Sequence, residues 1–436
     1  MPSVPAHPNA RRRVLHRAGF GSLATAVAVM AMASPAGAHS TGGGGLPEPR
    51  VLGFGAVAAL AIGAALVGAW WPSARLSRFH PAEAEPAPDT PLAGGVLGII
   101  GLALVLFTAL AGLTTQAANP APWAVGVVFW VGLPLSCVLF GDVFRWINPY
   151  ATAVRLLTLR ARRPAERTAP PWVAAAFLFS FIWYLLAYYR PGSPRALAMF
   201  LTLYSAAAVA SGWRWGHRWL ATGEGFGALS STVARLSPGG ARGPLPPGVA
   251  PLMTVWLGGV AFDLAGSSNR WINVLGSSRG WGRTLLDTAG LAWMTGMVAA
   301  LYLLVVWVAE RGQTLRLAAP LGVALIPLAT GWFLAHDLSL LLTEGQNALI
   351  LASDPLGRGQ DLFGTVNGTI DYGLLTQSWL RWTELALAVV GNLAALVVFH
   401  DTALSLVTRR HAVRATMVMA ALLSVTMGAG IALVLG

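Results

Sequence analysis

The sequence predicts an all-α fold, a polytopic bundle of about ten membrane-spanning helices behind a cleavable signal peptide. Three observations predict it. Hydrophobic residues fill 55% of the 436 positions and charged residues only 11%, against roughly a quarter charged in a soluble globular chain. Apolar runs long enough to cross a bilayer recur from residue 51 to residue 435. The arginines lie in the short connections between those runs, which is the pattern that orients a chain in a membrane. The formal charge of +12 therefore reads as topology, and nucleic acid is not the expected partner.

Residues 1–38 read as the signal peptide. Arg11, Arg12, Arg13 and Arg17 precede an apolar run over 24–33, and Pro35-Ala36-Gly37-Ala38 forms a small-residue cleavage site before His39. The arginine cluster loosely resembles a twin-arginine export signal, with ordinary secretory export as the plainer reading. Cleavage after Ala38 makes His39 the mature N-terminus, where amine and imidazole together chelate a soft or borderline metal such as copper. A flexible, unliganded His39 is the alternative.

Residues 39–436 form one integral membrane domain. The spans fall at 51–71, 94–113, 123–140, 172–189, 196–213, 249–266, 289–308, 317–342, 385–399 and 415–435. The ninth is short and extends back towards Trp379, so that Arg381 and Glu384 sit three apart at its end. With residue 39 outside, the inner connections hold 17 arginines and the outer ones 7. That bias predicts a bacterial inner-membrane protein with its mature N-terminus and its C-terminus both external. Segments 144–167 and 213–248 mix arginine with apolar and tryptophan residues, as helices lying on the anionic inner leaflet do. No internal repeat marks an inverted-topology transporter. Cys137 is the single cysteine; it excludes an intramolecular disulfide and reads as a small buried hydrophobe.

Ionisable groups at membrane depth are costly and point to function. Asp142 and Arg145 can pair at the inner end of the third span, where Asn148-Pro149 ends the helix. Asp263 falls near the outer end of the sixth span, free to pair with Arg270. His336 lies 19 residues beyond Leu317, about 28 Å at roughly 1.5 Å per residue, and so at the outer interface. Its helix runs into an outer polar loop, 343–379, that carries Glu344, Asp354, Arg358, Asp361 and Asp371. The second His-Asp pair, His400-Asp401, belongs to the inner face, so the two pairs cannot share an ion.

The metal-ligand candidates are His39, His336 and Asp337. The catalytic candidates are His336, Asp263, Asp354 and Asp361, which could hold a divalent transition metal and lower the pKa of its water. No HExxH, CxxC or Walker pattern occurs in this region. Asp-Pro with several glycines is also ordinary turn chemistry. Three alternatives stay open: a hydrogen-bonded cluster locking three helix ends, copper-like metal handling without catalysis through His39 and His336, and a structural or assembly role beside a partner membrane subunit. A permease is disfavoured, because the middles of most spans are apolar.

The runs FWVGLPLSCVLFGDVFRWINPY, VAFDLAGSSNRW and LAHDLSLLLTEGQ…ASDPLGRGQDLFGT, with a later VVFHD, resemble bacterial multi-pass membrane proteins of the fenitrothion hydrolase family. Ala38-His39 is similar to the signal end of that family. The resemblance covers nearly all of the mature chain. It implies hydrolysis of an apolar organophosphate triester to a phenol and a dialkyl (thio)phosphate. The family often has a histidine where this chain carries Asn392, a departure that weakens any ligand role for the segment leading to His400-Asp401.

Overall fold

A computed structural model describes residues 49–79, 90–159, 166–239, 245–312 and 314–435. The expected signal peptide, 1–38, and His39 lie outside the described residues. Among the described residues the regular structure is entirely helical. Nine helices among the described residues are long and apolar enough to cross a membrane, which makes the chain a multi-pass membrane protein. They are α1 (Pro49–Trp70), α2 (Leu92–Ala111), α3 (Pro120–Phe140), α7 (Pro194–Trp215), α10 (Val249–Gly266), α12 (Gly280–Glu310), α13 (Ala318–Ala352), α14 (Gln377–Leu406) and α15 (Arg409–Leu435). Lipid offers no partner for backbone N–H and C=O groups, so an apolar run of this length satisfies them internally as helix.

The fourth expected span is shorter than the sequence suggests. Helix α6 (Val173–Leu186) has 14 residues, about 21 Å against a hydrocarbon core of roughly 30 Å. Protein rather than lipid surrounds much of it: Leu178, Phe181, Ile182 and Tyr184 are all buried. Six short helices complete the set with α4 (Val143–Ile147), α5 (Pro149–Thr158), α8 (His217–Gly223), α9 (Gly225–Val233) and α11 (Asn269–Leu275) beside α6.

Helix starts are written in the sequence as cap-proline pairs. Asn119-Pro120, Asn148-Pro149 and Ser193-Pro194 open α3, α5 and α7, with the Asn or Ser side chain accepting from the N–H of Ala121, of Tyr150 and Ala151, and of Ala196. The cap supplies an acceptor for an orphan donor, and proline at the first helical position has no donor to satisfy. Asn148 therefore both ends α4 and starts α5. Pro327 falls just after the turn Gly322–Ala324, in the first turn of the regular part of α13, where a missing N–H costs little.

The segments expected on the inner leaflet behave differently from each other. In α5, Tyr150, Thr152 and Val154 are buried while Leu156 and Leu157 are exposed, as suits a helix lying along the bundle end. The stretch from 213 departs from the surface reading, because α8 and α9 fold back into the bundle. Phe226 stacks edge-on with Phe129 at 4.8 Å and Phe181 at 4.9 Å. Glu224, fully buried, accepts from Tyr204 Oη and from the N–H of Phe226 and Gly227. A side chain at Gly225 would come within 2.9 Å of the Leu178 nitrogen, so glycine is required for this approach. Aromatic packing with a satisfied carboxylate outweighs the amphipathic pattern.

Helices α13 and α14 run antiparallel in backbone contact. A Cβ on Gly331 would lie 2.6 Å from the Gly391 Cα, and one on Gly391 would lie 2.8 Å from the Gly331 Cα. Small residues let membrane helices approach this closely and gain dispersion contacts. His336 lies five residues beyond this crossing in one direction and His400 nine residues beyond it in the other, a separation of roughly 21 Å along the bundle. His400 and Asp401 form a clamp on the chain leaving α1. Asp401 accepts from Trp71 Nε1 (2.8 Å), Arg75 N (2.6 Å) and Leu76 N (3.0 Å). His400 bonds Thr416 Oγ1 and Trp71 O.

Gly391→Ala is expected to cost about 1–3 kcal/mol through overpacking, read as a lower thermal midpoint of the purified protein in detergent. Gly296→Ala on α12 meets open space and should leave that midpoint unchanged or slightly raised.

Candidate metal centre

The site is assembled at the end of the bundle opposite His400. The last turn of α10 carries Asp263, α13 carries His336 and Asp337, and α14 carries Glu384. Neighbours on one helix are about 100° apart, so His336 and Asp337 converge only around a group held between their two directions. Asp263 is that group. Its Oδ2 lies 3.2 Å from His336 Nε2, and ligand atoms of Asp263, His336 and Asp337 all lie within 4.8 Å of one another. Asp263 pairs with the histidine, not with Arg270 as the loop sequence allows.

Access is one-sided. Asp337 is 7% exposed, whereas the side chains of His336 and Asp263 are 28% and 40% exposed. Two carboxylates facing one imidazole leave excess negative charge in a partly desolvated place, which is costly without a cation. Glu384 adds to it. It stands seven residues before Gly391, as His336 stands five after Gly331, and the antiparallel crossing brings both to one level, where they interact electrostatically.

A bracket beside the site steadies α10. Trp271 of α11 packs edge-on against Phe262 and donates through Nε1 to Asp287 Oδ1 at 2.9 Å. Arg283 Nε pairs with the other Asp287 oxygen at 3.2 Å. A Cβ on Gly290 would lie 2.5 Å from the rings of both Phe262 and Trp271. The residue next to Asp263 is thus locked between α11 and α12.

Two sequence candidates fall elsewhere. Asp354 accepts from the N–H of Arg358 (2.8 Å) and Gly359 (2.7 Å), and these donors hold its carboxyl below the usual carboxylate range. Asp361 accepts from Val366 N at 3.2 Å. Neither belongs to the convergent group. Gly357, Gly359 and Gly364 take positive φ, and the turn they form aims successive backbone donors at these acids. The loop is also tied to α13. Gln346 exchanges hydrogen bonds with the backbone of Asp371, and Tyr372 Oη donates to Glu344. His39 lies outside the described residues. Glu384, one of the outer-half acids of the sequence that could join a histidine on a metal, was not singled out as a site residue; its level relative to Gly391 was the available signal.

At the corner after α3, Asp142 caps α4 through Arg145 N at 3.3 Å and accepts from Ser230 Oγ at 2.6 Å. Ser230 also accepts from Phe144 N and contacts Cys137 Sγ at 3.1 Å. This is a joint between α9 and the α3–α4 corner. Burial pushes the Asp142 carboxyl up, offset in part by those donors.

Asp354→Ala removes the acceptor of the glycine turn alone. Limited proteolysis within 353–365 is expected to speed up, with the metal content of the purified protein unchanged.

No family model, curated protein or solved structure matches the chain.

Proposed function

We propose that the chain is a membrane-embedded metallohydrolase that acts on apolar organophosphate triesters, with Asp263, His336 and Asp337 holding one divalent transition metal. The observation that carries the reading is the convergence of two carboxylates and an imidazole from two helices at the rim of an otherwise apolar bundle. A bound divalent ion supplies Lewis acidity toward a phosphoryl oxygen and a water of lowered pKa. His336 Nε2 and the Asp263 carboxylate, the more exposed pair, face the side from which substrate and water arrive. Asp337, shielded from solvent, neutralises charge and fixes the ion's position. A neutral triester partitions into lipid and meets the rim of the bundle without crossing a charged surface.

The resemblance in the runs around Asp263 and His336 supports the reaction class. The arginine distribution supports a bacterial inner membrane with the His336 end external, as an extracytoplasmic hydrolase requires. A metal carrier without catalysis makes the same use of the cluster and differs in the outcome of one assay.

Elemental analysis of the purified, signal-processed protein should find one divalent transition metal per chain, and a neutral aryl dialkyl phosphotriester should be turned over. His336→Ala is expected to lose both while still inserting in the membrane. Asp263→Asn removes a carboxylate ligand and should weaken metal affinity by more than the roughly 10–100-fold that loss of an outer-shell partner costs. Metal without turnover would leave metal handling as the function, and absence of both from the wild type would sink the proposal.

A further inference from the structure

The opposite end of the bundle holds a cavity of about 360 Å³ lined by Trp307, Glu310, Arg311, Thr314, Leu315 and Arg316. It sits where α12 ends and the chain turns into α13, among the arginine-rich connections. The Arg311 guanidinium lies 3.5 Å from the centroid of the Trp307 ring, one helical turn away. A cation–π contact of this kind uses the face of the guanidinium. Its N–H donors lie in the plane, where they form the fork that oxyanions of phosphorus accept from in bidentate fashion.

The acid in the cavity is already used. Glu310 Oε1 accepts from Leu317 N at 2.7 Å, which pins the start of α13, and Oε2 lies 3.9 Å from Arg316. Two guanidiniums against one carboxylate leave a net positive cavity, with the Thr314 hydroxyl as a further donor. The remaining wall is apolar and open. Trp307 and Leu315 of the lining are each about half exposed, and beyond the cavity Leu303 and Leu304, also about half exposed, continue the Trp307 side of α12 into the membrane-spanning region. Donors for a phosphate therefore adjoin a surface that suits acyl chains.

We propose that this cavity binds the phosphate group of an anionic phospholipid, with Arg311 and Arg316 on the phosphate oxygens and Trp307 at the boundary between headgroup and chain. Tryptophan favours that level of a bilayer, and juxtamembrane cations are attracted to anionic lipid. The shared chemistry is a phosphate oxyanion, and the apolar wall favours a lipid over free phosphate as its source.

The test is native mass spectrometry of the full protein released from detergent, titrated with phosphatidylglycerol, phosphatidylcholine or inorganic phosphate. The wild type should retain phosphatidylglycerol in preference to phosphatidylcholine. The double variant Arg311→Gln, Arg316→Gln should bind it about 30-fold more weakly, from the worth of two surface cations near anionic lipid. Arg218→Gln, at the same end but outside the cavity, should bind as the wild type does. Excess inorganic phosphate should not displace the lipid. Equal retention of both lipids, equal binding by the double variant, or an equal loss in Arg218→Gln would overturn the site. Displacement by inorganic phosphate would overturn the lipid assignment in favour of a free anion. All of the substituted side chains are exposed, and triester turnover or metal content at the far end of the bundle serves as the check that the variants fold.

Discussion

Backbone contact between α13 and α14 at Gly331 and Gly391 is the constraint on which the rest of the bundle depends. The absence of two side chains lets the helices touch, and their antiparallel sense then fixes every level above and below. Above the crossing, His336 and Glu384 come to one height. Below it, His400 and Asp401 reach the chain leaving α1. A wider separation would carry Glu384 away from His336.

Polar groups in this protein fall into two kinds. Most of the buried acids already have donors. Glu224 takes a tyrosine hydroxyl and two backbone N–H groups, Asp287 an indole and a guanidinium, and Asp401 an indole and two backbone N–H groups. Each of these fastens one piece of chain to another, and the donors offset the cost of removing charge from water. The Asp263–His336–Asp337 group differs. Its acids meet an imidazole and each other at a partly open rim, with Glu384 close enough to add further negative charge. A site that gathers like charge has a use for a cation that a structural joint does not. Asn392 Oδ1 and Thr402 Oγ1, both on α14, are buried without a hydrogen-bond partner among the described residues.

Much of the architecture is legible in the residues. Apolar runs mark the spans, cap-proline pairs mark the helix starts, and arginine-bearing connections alternate in density. The His-Asp pairs fall at opposite ends because each lies about 20 residues, roughly a membrane thickness, along its own helix, and the two helices run in opposite senses. Legibility ends where two patterns have the same composition. An amphipathic segment on a leaflet and one folded into the bundle both mix tryptophan, arginine and apolar residues, and only the aromatic contacts of Phe226 separate them. The acids of a glycine-rich loop are likewise the same residues whether they bind a metal or accept from their own turn.

The sequence by itself determined that this chain is a helical membrane protein, roughly where each helix begins, and that His336 stands at one end of the bundle. Those properties are local or compositional: they follow from hydropathy, capping and the rise of a helix. Tertiary structure decided which acids meet that histidine. Asp263 lies 73 residues away in the chain, and nothing in its own neighbourhood distinguishes it from Asp354 or Asp361. It reaches His336 because α10 packs against α13, while Asp354 and Asp361 are held by backbone donors a few residues on. Proximity across helices is a property of packing, which no local pattern of residues records.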